Sequence, residues 1–216
     1  MTTPTDDETT GDENIGDAPH DTGAGLRHDD PRVERTRAAI VDAAADLMMA
    51  DGPVAVTHGN VAEAANVSRT TVYKHYPTRT DLLRSTIQAI GKHVPDVSEL
   101  TGDLRSDLGT FFGDLLGDLT DEQRAPMMAA MMERALHDTS FAAVRDELIC
   151  EFEPTFRSLL DGAAERGELR AGIDAKLALA SIAGSFVFLR FMSPWGLDDV
   201  IAGRVLDEFV AANAAR

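Results

Sequence analysis

Apolar positions recur along this chain at three- and four-residue intervals, and nowhere with the strict alternation of a half-buried strand. The first stripe is Ile40, Val41, Ala44, Leu47 and Met48, which predicts a helix over Thr36–Ala50 stopped by Asp51-Gly52-Pro53. Thr57 then stands as an N-cap ahead of Val61, Ala62 and Ala65 on one helical face. Asn66 follows, a residue that tolerates the left-handed backbone of a tight turn. After the apolar anchor Val67, Ser68 caps a short helix with Val72 inward, and Pro77 ends it. Thr78 or Thr80 caps the next helix, expected from Thr80 to about Val94 with Leu82, Leu83, Thr86, Ile87 and Ile90 on one side and Pro95 at its end. The first three helices would enclose Ile40, Ala44, Leu47, Val61, Val67, Val72 and Tyr76.

The helical pattern continues to the end. Leu100, Leu104, Leu108, Phe111, Phe112, Leu115, Leu116 and Leu119 form a broad apolar face. Gly109, Gly113 and Gly117 recur on the same helix at a spacing that permits close approach of a neighbour. Thr120-Asp121-Glu122-Gln123 reads as a capping box before a helix carrying Met127, Met128, Met131, Met132 and Leu136. A long helix from about Ser140 to Glu165 contains Pro154, which should kink or break it. From Asp174 to about Met192 small residues (Ala178, Ala180, Ser181, Ala183, Gly184, Ser185) stand beside Leu177, Ile182, Phe186 and Phe188. Ser193-Pro194-Trp195-Gly196 turns the chain into a last helix with Leu197, Val200, Ile201, Val205, Leu206, Phe209 and Val210. The reading is an all-α fold of about nine helices.

Composition narrows the class. With 44% hydrophobic residues in 216, the chain can bury a real core. Its one cysteine, Cys150, excludes an internal disulfide and a multi-cysteine metal site, and a buried small hydrophobe is its plainest role. The start, MTTPTDDETT, is acidic and lacks the apolar run of a secretory signal. The apolar stretch Leu177–Leu189 falls short of the ~20 residues a membrane span needs. A soluble, cytoplasmic protein without a membrane partner is expected.

A net charge of -17 would ordinarily argue against nucleic acid, but its distribution does not. Residues 1–31 hold nine carboxylates against Arg27 alone, and should form a disordered, solubilising tail. Residues 32–84 instead hold seven cations against six carboxylates. Between Glu63 and Asp81 there is no carboxylate, whereas Arg69, Lys74 and Arg79 are cationic and His75 can be. A short helix presenting Arg69, Thr70, Thr71, Tyr73, Lys74 and His75 outward suits a DNA major groove: short polar side chains reach base edges and cations hold phosphates. A solvated surface helix that lacks acids would have the same composition.

The string Val67-Ser68-x-x-Thr71-Val72-Tyr73-x-His75-Tyr76-Pro77-x-Arg79-x-Asp81-Leu82-Leu83, preceded by Thr57-x-x-x-Val61-Ala62-x-x-Ala65-Asn66, resembles the DNA-binding module of the TetR family of transcriptional repressors. The resemblance covers roughly fifty residues. It implies that Thr70, Thr71 and Lys74 face bases or the groove wall, and that Tyr73, His75 and Arg79 lie on phosphates. Thr57, Ser68 and Arg69, at the starts of the paired helices, complete the candidate DNA-binding set. Asn66 replaces the family's usual turn glycine, and Arg79 a common lysine. His58-Gly59 stands where an apolar and a polar or basic residue are usual, which removes any base contact from Gly59. Arg166-Gly167-Glu168-Leu169 leading to Asp174 also resembles a junction common in the family's C-terminal half.

The implied organisation is an acidic tail at 1–31, a three-helix helix-turn-helix DNA-binding domain at 32–79, and a helical ligand-binding and dimerisation domain at 80–216. A reading head this small covers a short half-site, so specificity calls for a homodimer on a palindromic double-stranded operator. The last two helices, apolar nearly all round and rich in small residues, suit a four-helix contact between protomers; an intrachain core helix is the plainer account. Phe111, Met127, Met128, Met131, Phe152 and Phe156, with His137 as a polar anchor, could line a site for an apolar or amphipathic effector, although such a stripe is also ordinary core. A G-x-S-x-G elbow, a G-x-G-x-x-G or phosphate loop and an H-E-x-x-H pair are absent, so neither an enzyme nor a cofactor is expected. The expected function is a ligand-responsive transcriptional regulator, most naturally a repressor. The competing class is a helical small-molecule-binding or scaffold protein whose helix-turn-helix is idle.

Overall fold

Local signals in the sequence set most of the helix boundaries. The computed structural model describes residues 31–91 and 100–215. The expected tail, but for Pro31, and the stop at Pro95 lie outside the described residues. Among those described are nine α-helices: α1 (Pro31–Asp51), α2 (His58–Ala64), α3 (Arg69–His75), α4 (Arg79–Ile90), α5 (Leu104–Thr120), α6 (Arg124–Arg134), α7 (Thr139–Glu165), α8 (Ala175–Phe191) and α9 (Asp199–Asn213). A 3-10 turn, Pro53–Ala55, joins α1 to α2. The all-α expectation holds. Among the described residues the sole bridge of β type pairs Leu169 with Ala214, fastening the α7–α8 junction to the end of α9.

Helix α1 begins five residues before the expected Thr36. Pro31 suits a first helical turn, where no N–H is needed, and Glu34 favours the positive helix end. Asp174, the expected start of the helix, caps α8 by accepting the Lys176 and Leu177 amides. The capping box expected from Thr120 does not form. Asp121 takes the Gln123 and Arg124 amides at 2.9 and 2.8 Å, whereas the Thr120 hydroxyl turns back to the Leu116 carbonyl. Pro154 does not break α7, which runs 27 residues through it. Among the described residues Gly109, Gly113 and Gly117 seat no neighbouring helix: a Cβ at either of the last two would meet none of them within 4 Å.

The core divides in two. One cluster lies among α5, α7, α8 and α9, with Leu108, Phe111, Phe112, Phe156, Ile182, Phe186 and Leu206 buried together. The other holds Ile40, Ala44, Met48, Val61, Val72, Tyr76, Leu82 and Leu83, and it also takes in Ala135, Phe141 and Val144 from the region of α6 and α7. The hydrophobic interior of the first three helices thus continues through Leu82 and Leu83 of α4 into the body. Within it Leu47 and Val67 are partly buried and Met48 replaces Leu47 at the centre.

Polar links reinforce the same seam. Arg84 on α4 grips Glu147 on α7 with two hydrogen bonds, Nε to Oε2 at 2.5 Å and Nη2 to Oε1 at 2.7 Å, and it reaches Asp81 at 3.1 Å. Arg79, at the start of α4, donates to the Val56 carbonyl at 3.2 Å and pairs with Asp138 at 2.9 Å. Its guanidinium also lies 5.1 Å from the centre of the Phe141 ring. Asp138 divides its oxygens: Oδ2 takes Arg79, whereas Oδ1 caps α7 by accepting the Ser140 amide at 2.9 Å. Fork-shaped guanidinium contacts of this kind fix geometry more than they add stability at partly exposed sites.

Candidate nucleic-acid interface

The α2–turn–α3 unit is built by two caps and one left-handed residue. The Thr57 hydroxyl accepts the Asn60 amide at 3.1 Å and starts α2. Asn66 adopts φ 52°, alone in the left-handed region among the described non-glycine residues, as expected from its place in the turn. The Ser68 hydroxyl accepts the Thr71 amide at 3.0 Å and starts α3. Val72 points inward and is wholly buried, with Val61 and Tyr76 beside it. Because Val72 faces the core, the rest of α3 faces out.

Ser68, Arg69, Thr70, Tyr73 and Lys74 are exposed, and Thr71 and His75 are half-exposed. No carboxylate occurs from Ala64 to Thr80. The threonines differ. The Thr71 hydroxyl lies 2.8 Å from the Ser68 hydroxyl, a bond that ties it to the cap, whereas Thr70 stands clear on the outer surface. Thr57 is committed to its cap and only partly exposed. Arg79, implied as a phosphate contact, has protein partners instead: Asp138 and Phe141 tie the start of α4 to the body and the Val56 carbonyl ties it to the turn before α2, and its side chain is 29% exposed. Tyr73 is 52% exposed, yet one face of its ring is covered by the His58 imidazole, with centroids 4.0 Å apart. Sequence reasoning gave His58 no part here, and only its departure from the usual apolar residue marked it.

This geometry, an all-helical chain with a capped helix-turn-helix at one end and a helical body behind it, can be set against known proteins. Residues 40–86 match the family model of bacterial regulatory proteins of the tetR family. Residues 98–209, more than half the chain, match that of the tetracyclin repressor-like C-terminal domain. The chain belongs to the TetR family.

It is thus a helix-turn-helix transcriptional regulator of the ligand-responsive TetR class. Over 65 residues it is 54% identical to the HTH-type transcriptional repressor LfrR of Mycolicibacterium smegmatis, a match spanning 30% of this chain and 31% of LfrR. It is 27% identical over 179 residues to the DNA-binding transcriptional repressor TetR of Mycobacteroides abscessus, covering 82% of this chain and 93% of that one. In fold it is similar to NalD of Pseudomonas aeruginosa, described as the secondary repressor of the MexAB-OprM multidrug efflux pump, with TM-score 0.63, 22% identity, and 86% and 98% of the two chains covered. A TetR transcriptional regulator from Agrobacterium tumefaciens matches at TM-score 0.62 and 23% identity, over 84% and 95%.

The TetR-family body brings only part of the expected effector lining together. Phe111, Phe152 and Phe156 meet, with Phe111 centroids 6.1 Å from Phe152 and 4.9 Å from Phe156, and Met128 packs on the same cluster. Met127 and Met131 face the other way, into the cluster shared with the DNA-binding helices. His137 joins neither: it lies on the surface, 66% exposed, within 3.9 Å of Glu133. Among the described residues no helix is long and apolar enough to cross a membrane.

Proposed function

We propose that this protein is a dimeric repressor that binds a palindromic operator through α3 and leaves it when an apolar or amphipathic small molecule enters the body. The observation that carries the DNA contact is the outer face of α3, where Arg69, Thr70, Tyr73 and Lys74 are exposed and no carboxylate stands nearby in sequence. Elsewhere the chain is strongly acidic, which repels the duplex and leaves adhesion to this one surface. Repression is supported by the repressor names of the two relatives. Residues 32–79 act as the reading head and 80–216 as the sensing and pairing body. Arg79 links the two, and phosphate contacts fall to Tyr73, Lys74 and His75.

Dimerisation is supported by the outer surface of α8, α9 and their connection. Leu177, Met192, Trp195 and Val200 are 71, 75, 72 and 64% exposed, and Phe188 46%. An open groove beside Phe188 and Trp195 is lined by Ala180, Ser181, Gly184 and Ser185, small enough for another helix to approach. Trp195→Glu should shift sedimentation from dimer to monomer; an unchanged sedimentation coefficient would place the interface elsewhere.

The effector would settle beside Phe111, Phe152, Phe156 and Met128, and its pressure on α7 would reach α4 through the Arg84–Glu147 contact. The decisive test is a gel shift on duplexes selected by the protein from a random pool. Lys74→Ala should weaken binding to all of them and lower the salt slope by about one, whereas Thr70→Ala should change their ranking. Equal binding by both variants at every salt concentration would remove α3 from the interface.

A further inference from the structure

The first two residues of α2, His58 and Gly59, each meet an outward side chain of α3. Arg69, the first residue of α3, lays its guanidinium across Gly59. A Cβ at that position would stand 3.3 Å from Nη2, 3.4 Å from Cζ and 3.5 Å from Nε. One turn further along the same face, the Tyr73 ring lies flat on the His58 imidazole, with planes 8° apart. His58 is itself held: its Nε2 donates to the carbonyl of Tyr76, the residue capping the end of α3, at 2.8 Å. A carbonyl can only accept, so this bond fixes both the ring's proton and its orientation. His58 is nearly buried, which makes it a stiff platform.

We propose that His58 and Gly59 are positioning residues that hold Arg69 and Tyr73 ready on the DNA-facing side of α3, so that α2 acts as a template for the recognition surface without touching DNA itself. The inference rests on the reading of α3 as the DNA-contacting helix. Its physical basis is preorganisation. Arginine loses much side-chain freedom when it binds, and a notch that already confines it spares part of that loss, as a flat stack does for tyrosine. Glycine at 59 is then a functional choice: its missing side chain is the room the guanidinium occupies.

The test is a set of double-mutant cycles in the full chain, read as affinity for one duplex that the wild-type protein selects from a random pool. Gly59→Leu, whose side chain would fill the notch and cannot hydrogen-bond DNA, should weaken binding on the order of three- to tenfold. It should do so without lowering the melting temperature, because leucine favours helix over glycine. The loss should vanish in an Arg69→Ala background and persist in a Tyr73→Ala background. His58→Gln, which can still donate to the Tyr76 carbonyl but offers no ring, should show the reverse pattern, with its loss vanishing beside Tyr73→Ala only. Losses that multiply in all four combinations to within about twofold, as for independent sites, would overturn the template. So would normal affinity in Gly59→Leu and His58→Gln while Arg69→Ala and Tyr73→Ala bind weakly. If Arg69→Ala and Tyr73→Ala both bind normally, the reading of α3 falls, and the template with it.

Discussion

Phe141 sits near the start of α7, yet its neighbours belong to the DNA-binding end of the molecule. It is 2% exposed and shares a cluster with Val56, Val72, Tyr76 and Leu82, while the Arg79 guanidinium lies over its ring. Phe141→Ala would leave a cavity in that cluster, at about 3–5 kcal/mol for a phenylalanine truncated in a packed core. Loss of the ring beneath a partly exposed guanidinium adds about 0.5–1 kcal/mol. The sum, about 3.5–6 kcal/mol, is a large fraction of a typical domain's stability. For a chain of this size it corresponds to a fall in melting temperature of about 7–24 °C, at about 2–4 °C per kcal/mol. Phe141→Leu keeps most of the volume and should cost less than about 1.5 kcal/mol beyond the lost ring contact. Thermal and urea unfolding, followed at one fixed protein concentration because a dimer's stability depends on it, would measure both. A fall below 3 °C for the alanine variant would refute the shared core. So would loss of a separate early transition with the main one untouched, because a head that folds by itself would behave that way.

Two further outcomes follow from the geometry. Asn66→Ala should destabilise the chain by about 1 kcal/mol, because φ 52° is poorly tolerated by alanine, and Asn66→Gly should be near neutral; urea midpoints would show both. The Arg84 guanidinium holds the Glu147 carboxyl below its ordinary value of 4.5, chiefly by hydrogen bonding. A depressed folded-state pKa contributes stability that is present above the unfolded value and disappears as pH falls through the folded one. Melting temperature should therefore drop more steeply below about pH 4.5 in the wild type than in Glu147→Gln, and parallel curves from pH 7 to 3 would contradict the link.

Local chemistry was the legible part of this molecule. Thr57 and Ser68 cap helices where the residue pattern places them, and Asn66 turns left-handed because few other side chains do so cheaply. The inward direction of Val72 follows from helical spacing, and with it the outward face that carries the candidate DNA contacts. Partnership at long range was not legible. Spacing puts Met127 and Met131 on one face and Met128 on another, but nothing local says that the first two meet the head and the third the body. Arg79 finds Asp138 across 59 residues of sequence, so a cation that suits a phosphate equally well is paired within the protein at a partly exposed site. The glycines of α5 match the pattern of a packing groove, and only the arrangement of neighbouring helices leaves Gly113 and Gly117 facing open space.

Asp138 leaves little latitude for replacement. Asparagine would preserve the amide bond that begins α7 while surrendering the charge that anchors Arg79. Glutamate would retain the charge, but its extra methylene moves the carboxylate away from the Ser140 amide. One carboxylate thus decides both where the longest of the described helices starts and how the reading end is tethered to it, and each conservative exchange gives up one of the two roles.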